Sequence, residues 1–303
     1  MKIVSLLPSA TEIVFALGLG DQLEGVTYEC DYPPEARAKP VVSDTTLPQD
    51  RPLSAQEVDR LVGQSMADHE PIYVPDTDLI RRIQPDLIIA QDLCRVCAVP
   101  SGQVEEALEE IGCRSTVVSL DPNTIDDTLE GILTVGRATG TDERAQELVG
   151  GLRHRVEQVR RTALRLPSIH TLCLEWSDPP YAAGHWIPGM VRLAGGTNLL
   201  TEGHEPSRKV SWRQVIDAAP ELVVFMPCGY YLEAAELEGR SLRRVPEFAD
   251  TLAARAGAVF AVDASSFFSR PGPRIVDGLE TLAWAIHPDA FPEPPPDRIV
   301  RVR

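Results

Sequence analysis

Apolar runs broken by polar, glycine or proline positions divide the chain into short strand and helix units. Lys2 to Leu7 is a β-rich apolar run, and Ser9-Ala10-Thr11-Glu12 then matches the S-x-x-E capping box that opens a helix, which Gly18 closes. Ser54-Ala55-Gln56-Glu57 repeats that start signal. Asp86 to Ala90 predicts a buried strand, Val104 to Ile111 a helix and Ser115 to Leu120 another strand. Strands that alternate with helices in this way imply a parallel sheet.

The period changes from Asp142 to Leu166, where Leu148, Leu152, Val156, Val159, Ala163 and Leu166 recur at spacings of three and four. That pattern predicts one long amphipathic helix, which Pro167 stops. Its Arg153, Arg155, Arg160, Arg161 and Arg165 read as a solvated outer face.

Beyond this helix the grammar of the first half returns. Thr171-Leu172-Cys173-Leu174 echoes Ile3-Val4-Ser5-Leu6, Met190 to Gly195 echoes Ile13 to Gly18, and Ala219-Pro220-Glu221-Leu222 echoes Gln84-Pro85-Asp86-Leu87. The predicted fold class is therefore α/β, with two parallel-sheet Rossmann-like lobes bridged by one long α-helix. The expected boundaries are 1–135 for the first lobe, 136–166 for the connecting helix, 167–290 for the second lobe and 291–303 for a Pro-rich extended tail.

Composition narrows the partners. The chain has 303 residues, a net charge of −16 and a hydrophobic fraction of 43%. Such acidity repels phosphate backbones and anionic lipid heads, so nucleic acid is not an expected partner. No apolar run approaches the roughly 20 residues that span a bilayer, so no membrane insertion is expected. Met1-Lys2 before an apolar run imitates a leader peptide, but Pro8, Glu12 and the want of a small-x-small cleavage site oppose that reading. The expectation is a cytoplasmic protein, or a periplasmic or extracellular one if a leader precedes the sequence. In the cytoplasm the six cysteines would be thiols or metal ligands.

The stretch from Lys2 to Gly18, the strand Gln84 to Ile89 and the helix end Leu193-Ala194-Gly195-Gly196 resemble the cobalamin- and siderophore-binding proteins of ABC importers. The resemblance runs from Lys2 to about His287 and implies two lobes on a rigid helix, with a corrinoid, haem or iron chelate held in the cleft between them. It also implies an ABC transporter as partner. The chain departs from that family in its cysteines and in the missing export signal.

In parallel sheets ligands sit beyond the carboxyl ends of strands, so the residues following each strand are the candidates for a small-molecule site. These include Tyr28, Glu29 and Cys30 after one strand, Asp92, Cys94 and Cys97 after another, and Cys228 after a third. Cys30, Cys94, Cys97 and Cys228 form a possible thiolate set for a metal or Fe–S cluster, with Cys94-x-x-Cys97 at the spacing that lets one turn supply two ligands. A redox pair, or small apolar residues in loops, is the alternative.

Glu175, Trp176, Tyr181, His185 and Trp186 offer a flat aromatic wall for a cobalamin or haem-like ligand, with His185 as an axial or polar contact. Alternatively the tryptophans pack the lobe and the histidine is satisfied by backbone. Arg270 pairs either with a ligand carboxylate or phosphate, or with Asp263 or Glu29. No G-x-S-x-G, H-E-x-x-H or G-x-x-x-x-G-K-[ST] pattern occurs, so binding is preferred to catalysis. The competing reading is a cytoplasmic metal- or Fe–S-dependent enzyme or redox sensor built on the cleft cysteines.

Overall fold

A computed structural model describes residues 1–51, 53, 55–68, 70–92 and 101–303. The chain forms two compact units: residues 1–122 with 127–150, and residues 123–126 with 151–303. Each holds its own sheet.

In unit 1 the strands are β1 Ile3–Ser5, β2 Leu23–Thr27, β3 Val41–Thr45, β4 Tyr73–Pro75, β5 Leu87–Ala90 and β6 Thr116–Ser119. Their order is β4-β3-β2-β1-β5-β6, parallel throughout except for β4, which runs antiparallel to β3. All four residues of β5 are buried, as befits a strand covered on both faces. Val4, Leu6, Val42, Ile88, Val104 and Leu108 pack together on one side of this sheet.

The first helix departs from expectation. It spans Pro8–Ala16 with Leu7 at the N-cap, and no side chain caps it. Proline needs no hydrogen-bond acceptor for its nitrogen and is pre-set for the first helical position, so the helix begins ahead of Ser9. The S-x-x-E residues thereby move inside the first turn, where Ser9, Thr11 and Glu12 are all buried. The second predicted box starts at Ser54, which lies outside the described residues; its helix runs Ala55–Asp68.

Unit 2 contains β7 Ile169–Ser177, β8 Pro180–Ala182, β9 Gly196–Asn198, β10 Arg208–Lys209, β11 Leu222–Phe225, β12 Val259–Val262 and β13 Ile299–Arg301. The path is β10-β8-β7-β11-β12-β13, and β9 also pairs with β7. Strands β7, β9, β11 and β12 are parallel, while β8, β10 and β13 run antiparallel to their neighbours. Strand β13 comes from the segment expected to be a tail. Val302 is fully buried beside it, and Arg243 Nη1 donates to the Val302 carbonyl at 2.8 Å.

The sequence echo is a register echo. Ile3 pairs with Leu87 across β1 and β5, and their counterparts Thr171 and Leu222 pair across β7 and β11. Gln84 and Ala219, each before a proline, both take left-handed backbone, φ +50° and +48°. Asp86 then clamps Lys2, with Lys2 N donating to Asp86 Oδ2 (2.7 Å) and Asp86 N to Lys2 O (2.9 Å). Glu221 clamps His170 in the same way, at 2.9 Å in both directions. Gly18 and Gly195, at the matching helix ends, have φ +75° and +89°, where glycine avoids the steric cost of a Cβ.

The long helix runs Asp142–Ala163 and belongs to unit 1 up to Gly150 and to unit 2 from Gly151. In unit 1, Ala145 packs on Gly136, where any Cβ would sit 2.5 Å away. In unit 2, Arg155 leaves the predicted solvated stripe. It is half-buried and bonds Glu280 (2.6 and 2.9 Å) and Asp277 (2.9 Å), and its pKa is raised chiefly by the hydrogen bonds to Glu280. Asp277 also holds Arg298 at 3.2 Å, just before β13. The other four arginines of the stripe are exposed.

Candidate functional site

The carboxyl ends of β1, β2, β5 and β6 gather polar groups in unit 1. Tyr28 N bonds Ser43 O at 3.0 Å, which stacks the β2 end on β3 and brings the Tyr28 and Tyr73 rings to 6.1 Å. Tyr73 Oη donates to Glu29 Oε2 at 3.3 Å. Burial, and then the charge of Glu29, pushes the Tyr28 phenol well above its usual range, so it stays protonated.

Asp92, just past β5, organises its surroundings. Its carboxylate accepts Ser101 N (2.8 Å) at the start of the helix Ser101–Ile111, and also the Ser101 hydroxyl. Its own N–H donates to Asp121 Oδ1, past the end of β6. Ser119 Oγ lies 2.7 Å from Asp121 Oδ2 and 3.1 Å from Asp92 Oδ2. Asp92 thus ties two strand ends to a helix start, as carboxylates at helix N-termini do. Ser101, Ser119 and Asp121 escaped the sequence reading. Asp121, the residue directly after the predicted strand Ser115 to Leu120, carried the same signal as Asp92.

The thiolate set is not assembled among the described residues. Cys30 is 4% exposed, and its sulfur lies 3.0 Å from Thr11 Oγ1, in the interior beside the first helix. Cys94 and Cys97 lie outside the described residues. Cys228 is exposed in unit 2. Among the described residues no three His, Cys, Asp or Glu side chains meet in a way that could hold a metal. Cys113 and Cys173 are buried, and burial pushes the Cys173 thiol far up.

In unit 2 the ends of β7, β11 and β12 gather aromatic rings and charges of both signs. Trp176 meets Tyr230 edge to face with centroids 5.7 Å apart, and it pairs with Tyr181 across β7 and β8. Ser177 Oγ donates to Glu238. Burial, then Glu238, raises the Tyr230 phenol. Glu175 is half-buried in β7. Cys228 occupies the turn Pro227 to Gly229, which Tyr230 N closes onto Pro227 O at 3.0 Å. Ser265 N donates to Tyr230 O (2.9 Å), joining the β11 end to the helix Ala264–Phe267 that follows β12. Asp263 caps this helix through Ser266 N at 2.9 Å; burial raises its carboxyl, against Ser266, Arg274 and Arg270. Arg270 is 7% exposed, with Nη2 3.3 Å from Ser265 Oγ and 3.4 Å from Tyr231 Oη.

His185 and Trp186 are not on this surface. Strand β8 runs back along β7, with Ala183 N bonding Cys173 O at 3.0 Å, so the chain after it is carried away from the edge that holds Ser177. Trp186 is 8% exposed and donates its indole N–H to Phe268 O at 2.8 Å. His185 takes φ +53°, its N–H bonds Glu205 O at 2.6 Å, and its buried Nδ1 has no hydrogen-bond partner. Burial lowers its pKa, which favours the neutral ring. Trp186 therefore packs the unit, while the His185 ring, unpartnered at its buried Nδ1 among the described residues, is not satisfied by backbone.

No helix among the described residues is long and apolar enough to cross a membrane. One relative is a vitamin B12-binding protein of Vibrio cholerae, 27% identical over 285 residues, covering 93% of this chain and 87% of that protein. Another is an uncharacterised ABC transporter substrate-binding lipoprotein of Bacillus subtilis, 24% identical over 96% of this chain and 82% of the relative. Among solved structures, a periplasmic heme-binding protein of Roseiflexus superposes with a TM-score of 0.69 at 26% identity, covering 95% of this chain and 98% of that one. The profile of the periplasmic binding protein family matches residues 3–265. With that match over most of its length and two sheets of mostly parallel strands, the chain belongs to the periplasmic binding protein family.

Proposed function

We propose that this chain is the substrate-binding partner of an ABC transporter and carries a corrinoid such as cobalamin, a haem-like tetrapyrrole or an iron chelate on its strand-end surfaces. The observation that carries the reading is the grouping of Trp176, Tyr181 and Tyr230 at one strand edge in a member of this family. Large planar ligands need broad apolar contact with a few placed polar groups, and aromatic rings beside hydroxyls and charges supply both. The names of the Vibrio and Roseiflexus relatives support the same ligand classes. Tyr28, Glu29 and Asp92 make the strand ends of unit 1 a second, polar candidate surface.

The lipoprotein and periplasmic names of relatives support a place of action outside the cytoplasm, in preference to the cytoplasmic one expected from the opening residues. The cysteine-dependent enzyme or redox reading has less support, because Cys30 is buried on Thr11. Isothermal calorimetry with cyanocobalamin, haemin and ferric chelates tests the proposal. The expected result is a Kd in the micromolar range or tighter for at least one of them. No binding tighter than about millimolar, worth only about 4 kcal/mol, would overturn it.

A further inference from the structure

The prolines of Pro292-Glu293-Pro294-Pro295-Pro296 have no N–H to give a sheet, whereas Ile299, Val300 and Val302 beyond them are β-branched. The first stretch is accordingly largely exposed, and the second returns as β13, pairing Ile299 with Val262 and Arg301 with Phe260. Burial anchors its far end. Val302 N donates to Val259 O at 2.9 Å, and the fully buried Val302 side chain approaches Gly239, where a Cβ would lie 3.1 Å from Val302 Cγ2.

The near end is Arg298, whose attachments converge on the carboxyl end of β12. Its carbonyl accepts the N–H of Asp263 at 2.9 Å, and the Asp263 carboxylate in turn caps the helix Ala264–Phe267 through Ser266 N. Its guanidinium lies 4.8 Å from the centre of the Phe267 ring, and Nη2 stands 3.2 Å from Asp277 Oδ1 on the helix Ile275–Ile286. A flat guanidinium can stack on a ring and bond a carboxylate at the same time, which an ammonium cannot do. The helix it touches has four residues, too few to hold itself, so its neighbours decide where it sits. The Phe267 carbonyl rests where Gly278 has no side chain, since a Cβ there would lie 2.2 Å from that oxygen, and the Trp186 indole holds the Phe268 carbonyl.

This short helix bears on the aromatic rings at the strand ends. Ser265 N donates to Tyr230 O at 2.9 Å, and the Tyr230 ring meets Trp176 edge to face. We infer that Arg298 is a positioning residue for the ligand surface of unit 2: by joining Asp277 to Phe267 it fixes the helix Ala264–Phe267 and, through Ser265, the Tyr230 ring against Trp176. The inference rests on the binding role proposed above and deepens it, because affinity then depends on a side chain that lies behind the surface and is supplied by the approach to the last strand.

Hydrogen exchange read by NMR on the ligand-free protein tests the positioning without any ligand. Arg298→Gln is compared with Glu280→Gln, a change on the helix of Asp277 that removes bonds to Arg155 instead. In Arg298→Gln the amides of Ser265 and Ser266 and the Trp186 indole N–H should exchange at least about tenfold faster, while Val223 and Val224 in β11 stay within about twofold. In Glu280→Gln all of these should stay within about twofold of wild type. Arg298→Lys keeps the charge beside Asp277 without the flat stack; it should fall between wild type and Arg298→Gln, and it carries the test if the glutamine variant does not fold. Unchanged protection of Ser265, Ser266 and the Trp186 indole in the folded variants would overturn the inference whatever the protein binds. Calorimetry with cyanocobalamin, haemin and a ferric chelate tests the link to binding: the compound that wild type binds should bind Arg298→Gln about fivefold more weakly and Glu280→Gln within about twofold of wild type. Faster exchange with undiminished affinity would overturn that link. Binding of none of the three by wild type would overturn the binding role, while the exchange result still decides whether Arg298 holds the helix.

Discussion

In unit 1 the residue ahead of the β5 proline has φ +50°, and in unit 2 the residue ahead of the β11 proline has φ +48°; the acids that follow, Asp86 and Glu221, clamp Lys2 and His170 through the same pair of bonds. The scaffolds repeat to the level of a backbone dihedral and a carboxylate. The strand ends do not repeat. Unit 1 ends in a hydroxyl and carboxylate web around Asp92 and Asp121, and unit 2 in Trp176, Tyr230 and Arg270. Residues that set strand pairing are held alike because the backbone demands them, whereas loop residues are free to take the chemistry of a ligand.

The largest effect that would sharpen this comparison comes from two glycines. A Cβ on Gly184 would lie 2.4 Å from backbone atoms of Glu205, Pro206 and Ser207, which cannot move aside singly. Gly184→Ala should cost unit 2 roughly 3 kcal/mol or more in urea denaturation. Gly18→Ala in unit 1 meets the mobile end of Arg144, leaving mainly the left-handed strain at φ +75°, about 1–2 kcal/mol. Equal losses would show that the Gly184 contact yields more easily than its geometry implies.

Next in size are the clamps. Asp86→Ala and Glu221→Ala each remove a charge-assisted bond to a backbone N–H and should each destabilise the chain by about 1.5–2 kcal/mol. A silent variant in one unit alone would break the structural equivalence of the two.

Acid should act unevenly. Burial holds His185 and His287, both in unit 2, below the usual histidine pKa of about 6.5. The unfolded chain then binds protons more readily than the folded one, so their contribution is complete above about pH 6.5 and is lost as pH falls towards the folded values. His185→Gln should flatten the stability of unit 2 from pH 7 to 5, measured by thermal melting. An unchanged slope would place the acid sensitivity elsewhere. The smallest effect concerns Ala219: glycine there removes left-handed strain but loosens the unfolded chain, for a net gain below about 1 kcal/mol.

Much of the scaffold was legible because periodicity and the echoed segments report strand pairing, and the pairing register matches the echo residue for residue. The errors share a cause, since each depended on direction or spatial neighbours. Ser9 lost its capping role to Pro8, whose fixed φ starts the helix earlier. His185 and Trp186 follow a strand in sequence, but β8 is antiparallel to β7 and takes them away from the edge that holds Ser177. Arg155 looked like its exposed neighbours because Asp277 and Glu280 lie far along the chain. Among the candidate residues, Asp92 and Arg270 were legible as lying beyond strand ends, whereas Trp176 and Tyr181, read as following a strand, lie on β7 and β8. Tyr73, Tyr230 and Ser119 became visible only once the strands were laid side by side, whereas Asp121 carried a signal that was not read.

The most direct measurement is a titration of wild-type protein, Trp176→Ala and Tyr28→Ala with whichever of cyanocobalamin, haemin or a ferric chelate binds. The prediction is a micromolar or tighter Kd for wild type, weakened at least about tenfold by Trp176→Ala and to a lesser degree by Tyr28→Ala, as expected when one buried aromatic contact dominates a ligand surface. Wild-type affinity retained in both folded variants would contradict the assignment of the strand-end surfaces to the ligand.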